Sequence, residues 1–397
     1  MFQIDSLGVL SEFRDACIAL LRATPGPTDS CQDVEKSLGV DAKLAWQVLR
    51  MGRATDPLGA GIGVPARVSM QKLLASAKRR RVPRETVERV ATAFEGYERL
   101  VREHAGERSE FEAMIRAQLP AEREKQELAS KQLVSKGISQ IKGIVLEQHL
   151  STGFFQPNAD GRTLDGVVLS GYFGLRRLRQ DVPLNISTGD LASPGSHSLD
   201  LGGHPVADFA ATLLGSFCTS PLPDFRVFEA GGLKYRQLAT SEIGMRSAAD
   251  IVMADRRNAG RPRYFTAGGK THTGVTYWDS YAARHATMDV FVHTDLFPGV
   301  VPELAIYDTS TDGTVRLFND PTRVMDRLHM HEVIRPLPPG IAGARSAHIP
   351  RYMEMLEYVY GKTGWNPAEF RGYRLEIQYP LHSAEYMIGF KLPEMPA

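Results

Sequence analysis

The chain has 397 residues and a formal net charge of +1. That length holds two or three domains, and so small a net charge excludes a whole-molecule field drawing the protein to nucleic acid or membrane, so any such attraction has to come from local patches. Cys17, Cys31 and Cys218 are odd in number and lack CxxC spacing, which argues against a disulfide scaffold or zinc ribbon and for a reducing compartment.

The opening MFQIDSLGVL has neither the basic start nor the apolar run of a signal peptide. No apolar stretch reaches the roughly 20 residues that span a bilayer, so a cytoplasmic protein without membrane contact is expected. From about Ser6, Leu10, Phe13, Cys17, Leu20 and Leu21 recur at helical spacing, and the run stops before Thr24-Pro25-Gly26-Pro27. Ser30-x-x-Asp33 is a capping-box start. Residues Asp33 to Arg53 then read as two short helices meeting at Leu38-Gly39-Val40. Gly39 can take a left-handed conformation without steric cost, and Asp41 can cap the second helix. Val34, Leu38, Val40, Leu44, Ala45 and Val48 fall where both helices turn inward.

After the loose segment Asp56 to Pro65, Met70, Leu73, Leu74 and Ala77 mark a short helix ending in Lys78-Arg79-Arg80-Arg81. Pro83 opens a longer helix with Val87, Val90, Ala91, Phe94, Tyr97 and Val101 inward, and Ser109-x-x-Glu112 starts another. A long, charged helix is predicted from about 121 to 150. Its stripe Val134, Ile138, Ile141, Val145 has 4-3-4 spacing, which suits either a homodimer seam or packing on its own domain.

The spacing over residues 33–53 resembles the helix-turn-helix of bacterial DNA-binding regulators. The resemblance implies that the second helix enters the major groove, where Gln47 and Arg50 would contact adenine and guanine edges and Lys43 and Arg53 would meet phosphates. Lys78, Arg79, Arg80 and Arg81 would add an electrostatic anchor. Glu35 and Trp46 depart from the family pattern, and they fit a helical hairpin that docks protein partners.

From Phe154 the period changes. Val167 to Ser170, Phe225 to Phe228, Met288 to Val292, Leu304 to Tyr307 and Val315 to Leu317 read as strands, with helices at Val206 to Ser216 and Pro350 to Tyr360. Tyr373 to Tyr379 and Glu385 to Lys391 read as a final strand pair. The expected fold class is α+β: an all-helical N-terminal region (1–150) with a helix-turn-helix-like hairpin, then a mostly antiparallel mixed α+β domain (151–397).

Chemistry is sparse. Ala267-Gly268-Gly269-Lys270-Thr271 lacks the earlier glycine and the following helix of a phosphate loop, and Gly59-x-Gly61-x-Gly63 follows no strand. His329 and His331, with Glu332, form a weak metal candidate, because two histidines on one strand face need further ligands. Cys218 lies in an apolar segment and reads as packing. Arg176, Arg177 and Arg179, and separately Arg256, Arg257, Arg261 and Arg263, are candidate anion-binding groups or ordinary surface charge. No catalytic residue or cofactor is assigned. The expected function is DNA-binding transcription regulation with a C-terminal domain for sensing a small-molecule effector or for assembly. The alternatives are a protein-interaction or assembly protein and a metal-dependent enzyme in the second domain.

Overall fold

The computed structural model describes residues 2–190, 199–206, 209–222, 224–230, 233–239, 242–265, 270–278, 281–315 and 317–395. The chain falls into two units, Met1–Glu127 and Leu128–Ala397. The change of period read near residue 150 lies C-terminal to that division.

In the N-terminal unit, helix α1 (Phe2–Ala23) places Leu10, Phe13, Cys17 and Leu20 on one fully buried stripe. Helix α2 (Cys31–Leu38) begins on a formed capping box: Asp33 N donates to the Ser30 hydroxyl at 3.1 Å, and Ser30 N donates to the Asp33 carboxylate at 3.0 Å. It ends at Gly39, whose φ of 65° is left-handed. Helix α3 (Ala42–Gly52) starts on Asp41, which accepts from Leu44 N at 2.9 Å. Val34, Leu38, Leu44, Ala45 and Val48 are buried between the helices, and Val40 packs partly buried against them.

A 3-10 turn (Pro57–Gly61) precedes α4 (Arg67–Arg79), α5 (Arg84–His104) and α6 (Arg108–Ala117). No side chain caps α6, contrary to the box expected at Ser109. Arg108, held by Glu98 and the Pro65 carbonyl, already lies inside the helix and moves its start forward. Phe13, Phe94, Tyr97 and Phe111 knit α1, α5 and α6 together, with ring centroids 5.6–6.3 Å apart.

Helix α7 (Pro120–Lys142) runs across the division and stops at Gly143, with φ 70°. It does not continue to residue 150. Strand β1 (Ile144–Pro157) begins directly after the glycine, so Val145, counted at a helical position, is a buried strand residue. The predicted seam is broken there. Lys131 and Ser135 are the inward residues instead: Lys131 pairs with Glu332, and the Ser135 hydroxyl donates to Ala282 O at 3.3 Å. Leu133, Val134 and Ile141 are left 72%, 41% and 73% exposed.

The C-terminal unit continues with β2 (Thr163–Arg177), β3 (Leu184–Asp190), β4 (Phe225–Ala230), β5 (Leu233–Leu238), β6 (Ala249–Pro262), β7 (His272–Trp278), β8 (Ala283–His293), β9 (Glu303–Asp308), β10 (Arg335–Pro336), α8 (Tyr352–Thr363), β11 (Phe370–Gln378) and β12 (Ala384–Lys391). A six-stranded sheet has the order β10-β11-β8-β1-β2-β6, and two three-stranded sheets have the orders β7-β12-β9 and β3-β5-β4. Strands β1 and β8 pair in parallel, and the other named pairs are antiparallel. The fold is therefore α+β, as the element pattern implies.

Alternation on the six-stranded sheet explains its two contacts. Phe154, Phe291 and Phe370 face α8, where Tyr352, Met355, Leu356 and Val359 are buried against them. Met288, Val290, Leu375 and Ile377 face the opposite way and pack on Tyr386, Ile388 and Phe390 of the β7-β12-β9 sheet. Gly153 on β1 permits this second layer, because a Cβ there would lie 2.2 Å from Val275 Cγ1 on β7. The last two strands do not pair with each other. β11 pairs with β8 and β10, while β12 is central in its own sheet, and the left-handed residues Tyr379 (φ 50°) and Ser383 (φ 64°) carry the chain between them. The helix expected at 206–216 includes residues 207–208, outside those described. Its described part forms two 3-10 turns, Phe209–Thr212 and Gly215–Phe217. Residue 316 of the strand expected at 315–317 also lies outside them, as do residues 267–269 of the glycine-rich stretch.

Candidate nucleic-acid interface

The α2–α3 pair exposes Asp41, Ala42, Lys43, Trp46 and Arg53 along α3. Trp46 is 51% exposed, with the Arg50 guanidinium 5.3 Å from its ring centroid. Gln47 and Arg50, the expected base readers, are engaged elsewhere. Gln47 Nε2 donates to Gly63 O at 2.8 Å, and Arg50 Nη1 donates to Ile62 O at 3.3 Å. Arg50 Nη2 also lies 3.8 Å from the Glu122 carboxylate. The physical reason is local: Ile62 and Gly63 lie between the 3-10 turn and α4, where no helix or strand partner takes up their carbonyls. This corrects the expectation that both side chains stand free for a groove. Arg53 donates to Asp29 O, while Lys43 remains exposed.

The basic run takes a definite place. The Ser76 hydroxyl donates to Leu38 O at 2.5 Å and ties the end of α4 to the turn of the helix pair. Arg80 then lies over Gly39, where a Cβ would meet its Nη2 at 2.8 Å. Arg81, with φ 61°, turns the chain away. Arg79, Arg80 and Arg81 share an open depression with Lys36, Ser37 and Asp33. Asp33 is its carboxylate, and that group is taken up by the Ser30 cap. Among the described residues, Lys36, Lys43, Lys78, Arg79, Arg80 and Arg81 make no ion pair, and all six are exposed. Within the depression Asp33 supplies one negative charge against the cations of Lys36, Arg79, Arg80 and Arg81, so the local field stays positive. Lys36 was not among the expected contacts; its signal was a cation one helical turn before Gly39. Glu35 is partly buried on the same helix.

No known family model matches the chain. No curated protein matches it either.

In the C-terminal unit, Arg176, Arg177 and Arg179 do not converge. Arg176 pairs with Glu147 at 2.5 Å and Arg179 with Asp181 at 3.6 Å, whereas Arg177 points into the fold and donates to Gln180 O at 2.9 Å. Strand alternation separates the first two. Arg256 pairs with Asp165 at 3.7 Å, Arg257 with Asp255 at 3.4 Å, Arg261 donates to Gly274 O at 2.6 Å, and Arg263 donates to Asp295 O at 3.4 Å. His329 and His331 lie in irregular chain and Glu332 pairs with Lys131. Among the described residues, no three His, Cys, Asp or Glu side chains are placed to hold a metal ion, which removes the support for a centre at His329 and His331. Cys218 Sγ accepts from Val252 N at 3.3 Å, and burial raises its thiol pKa, so it is placed for packing rather than attack. Among the described residues, no helix is long and apolar enough to cross a membrane.

Proposed function

We propose that the N-terminal unit binds duplex DNA through the phosphate backbone, and that the chain is a DNA-binding regulator whose C-terminal unit serves sensing or assembly. One observation carries this reading: Lys36, Arg79, Arg80 and Arg81 line one depression beside the Gly39 turn, Lys78 precedes them in the last turn of α4, and none of the five forms an ion pair among the described residues. Backbone contacts position a protein on DNA but carry no sequence information. With Gln47 and Arg50 held by the Gly63 and Ile62 carbonyls, discrimination between sequences is weak in this arrangement.

Fluorescence anisotropy against two unrelated random duplexes tests it. Both should bind at low ionic strength with similar affinity. With five phosphates neutralised, log affinity should fall against log salt with a slope of about −4.5. Absence of salt-sensitive binding at low ionic strength contradicts the proposal.

A second reading has its own support. Exposed Trp46 on α3, and Leu133, Val134 and Ile141 on α7, are large apolar groups of the kind that seat protein partners or a second copy. A stable oligomer by light scattering, indifferent to DNA, favours that reading over the first.

A further inference from the structure

We infer that the depression beside Arg177 in the C-terminal unit is a binding site for a small organic oxyanion, a carboxylate or a phosphate ester. The inference stands apart from the DNA reading, since it concerns different residues in the other unit.

Three arginines are buried among the described residues: Arg177, Arg323 and Arg374. Arg323 is paired with Asp326 and Arg374 with Asp289. Arg177, only 6% exposed, has no carboxylate. Its Nη1 donates to Gln180 O at 2.9 Å, and its Nε is buried without a hydrogen-bond partner. A buried cation is ordinarily paired, because burial strips its hydration without replacing it. Desolvation alone, with no opposing charge, lowers its pKa from the ordinary arginine value.

The space next to it has the complementary character. A cavity of about 260 Å³ is lined by Arg177, Val182, Pro183, Arg226, Gln237 and Leu238, among others. Arg226 on β4 stands opposite Gln237 on β5 in the antiparallel register, and Gln237 is held by a 3.3 Å hydrogen bond to Asn185 Oδ1. The one carboxylate at the rim, Asp181, is 78% exposed and lies 3.6 Å from Arg179. Two guanidinium groups thus flank a space in which a planar or tetrahedral oxyanion meets matching donors. Val182, Pro183 and Leu238 form an apolar wall for the carbon part of such a ligand.

The test titrates the full chain with inorganic phosphate and with succinate, using chloride at equal ionic strength as control, and reads the melting temperature and calorimetric affinity. Either anion should raise the melting temperature beyond chloride. A response to phosphate alone assigns a phosphate group, and a response to succinate alone assigns a carboxylate. Arg226→Gln, an exposed substitution, should weaken binding at least about tenfold, since a charge-assisted pair is lost. The triple variant Arg79→Gln/Arg80→Gln/Arg81→Gln should leave binding unchanged, which separates this site from the cationic edge of the N-terminal unit. The inference is overturned if neither anion acts beyond chloride, if Arg226→Gln responds as the unaltered protein does, or if the triple variant loses the response.

Discussion

Replacing Asp289 by alanine is expected to destabilise the C-terminal unit by about 3–5 kcal/mol. Asp289 is 0% exposed at the centre of the six-stranded sheet. It accepts from Arg374 Nε at 2.8 Å and Nη2 at 2.7 Å, and from the Tyr352 hydroxyl at 2.7 Å. Thr152, Asp289 and Arg374 are direct neighbours across three strands, and the Tyr352 hydroxyl lies 2.8 Å from the Thr152 hydroxyl, fastening α8 to that row. Arg374 also donates to Arg345 O at 2.9 Å and Ala344 O at 2.6 Å, so the chain entering α8 hangs on the same guanidinium. Truncating the carboxylate strands a buried cation, whereas the paired change Asp289→Leu with Arg374→Met removes both charges and should cost far less. Urea unfolding of the single and double variants checks this. A single-variant loss below about 1 kcal/mol would show that the network is not what holds α8.

The second large effect is a loss of stability on mild acidification. His149 on β1 is partly buried, its ring stacked on that of Tyr172 at 4.5 Å and tilted against that of Tyr277 at 5.0 Å. Desolvation lowers its pKa from 6.5 to about 4. The unfolded chain therefore takes up a proton as pH falls through 6.5, while the folded chain does so only near 4. Stability attributable to this group is complete above that window and declines through it at up to about 1.4 kcal/mol per pH unit. Allowing for its partial exposure, about 2–3 kcal/mol is lost between neutral pH and pH 4. Comparing unfolding of the protein and of His149→Phe at pH 7.5 and 4.5 checks it, and the phenylalanine variant should show the smaller drop.

What could be read from the sequence was local. Ser30, Asp33, Gly39 and Asp41 act within three or four residues of one another, and the helix pair they delimit forms as its capping chemistry requires. The engagement of Gln47 and Arg50 was not legible, because their acceptors lie in a loop 16 and 12 residues away, and a loop carbonyl has no side-chain signal. Arg374 and Asp289 are 85 residues apart and meet only through the register of non-consecutive strands. Adjacency in the sequence groups Arg177 with Arg176 and Arg179. Reading β2 through to its last residue would have divided them, since neighbours on a strand face opposite ways. The end of α7 was announced by Gly143, but Val145 satisfied both a helical stripe and the alternation of β1.

Under the proposed function Arg79, Arg80 and Arg81, rather than Gln47 and Arg50, meet DNA, and the salt dependence of binding separates the two. Log affinity against log salt should be measured in parallel for the unaltered chain, Arg79→Gln/Arg80→Gln/Arg81→Gln and Gln47→Ala/Arg50→Ala. The arginine triple variant should show a slope shallower by about 2.7, at 0.9 for each phosphate contact removed, with the Gln47/Arg50 variant close to the unaltered chain. An unchanged slope in the triple variant, or a loss confined to the Gln47/Arg50 variant, would contradict the account.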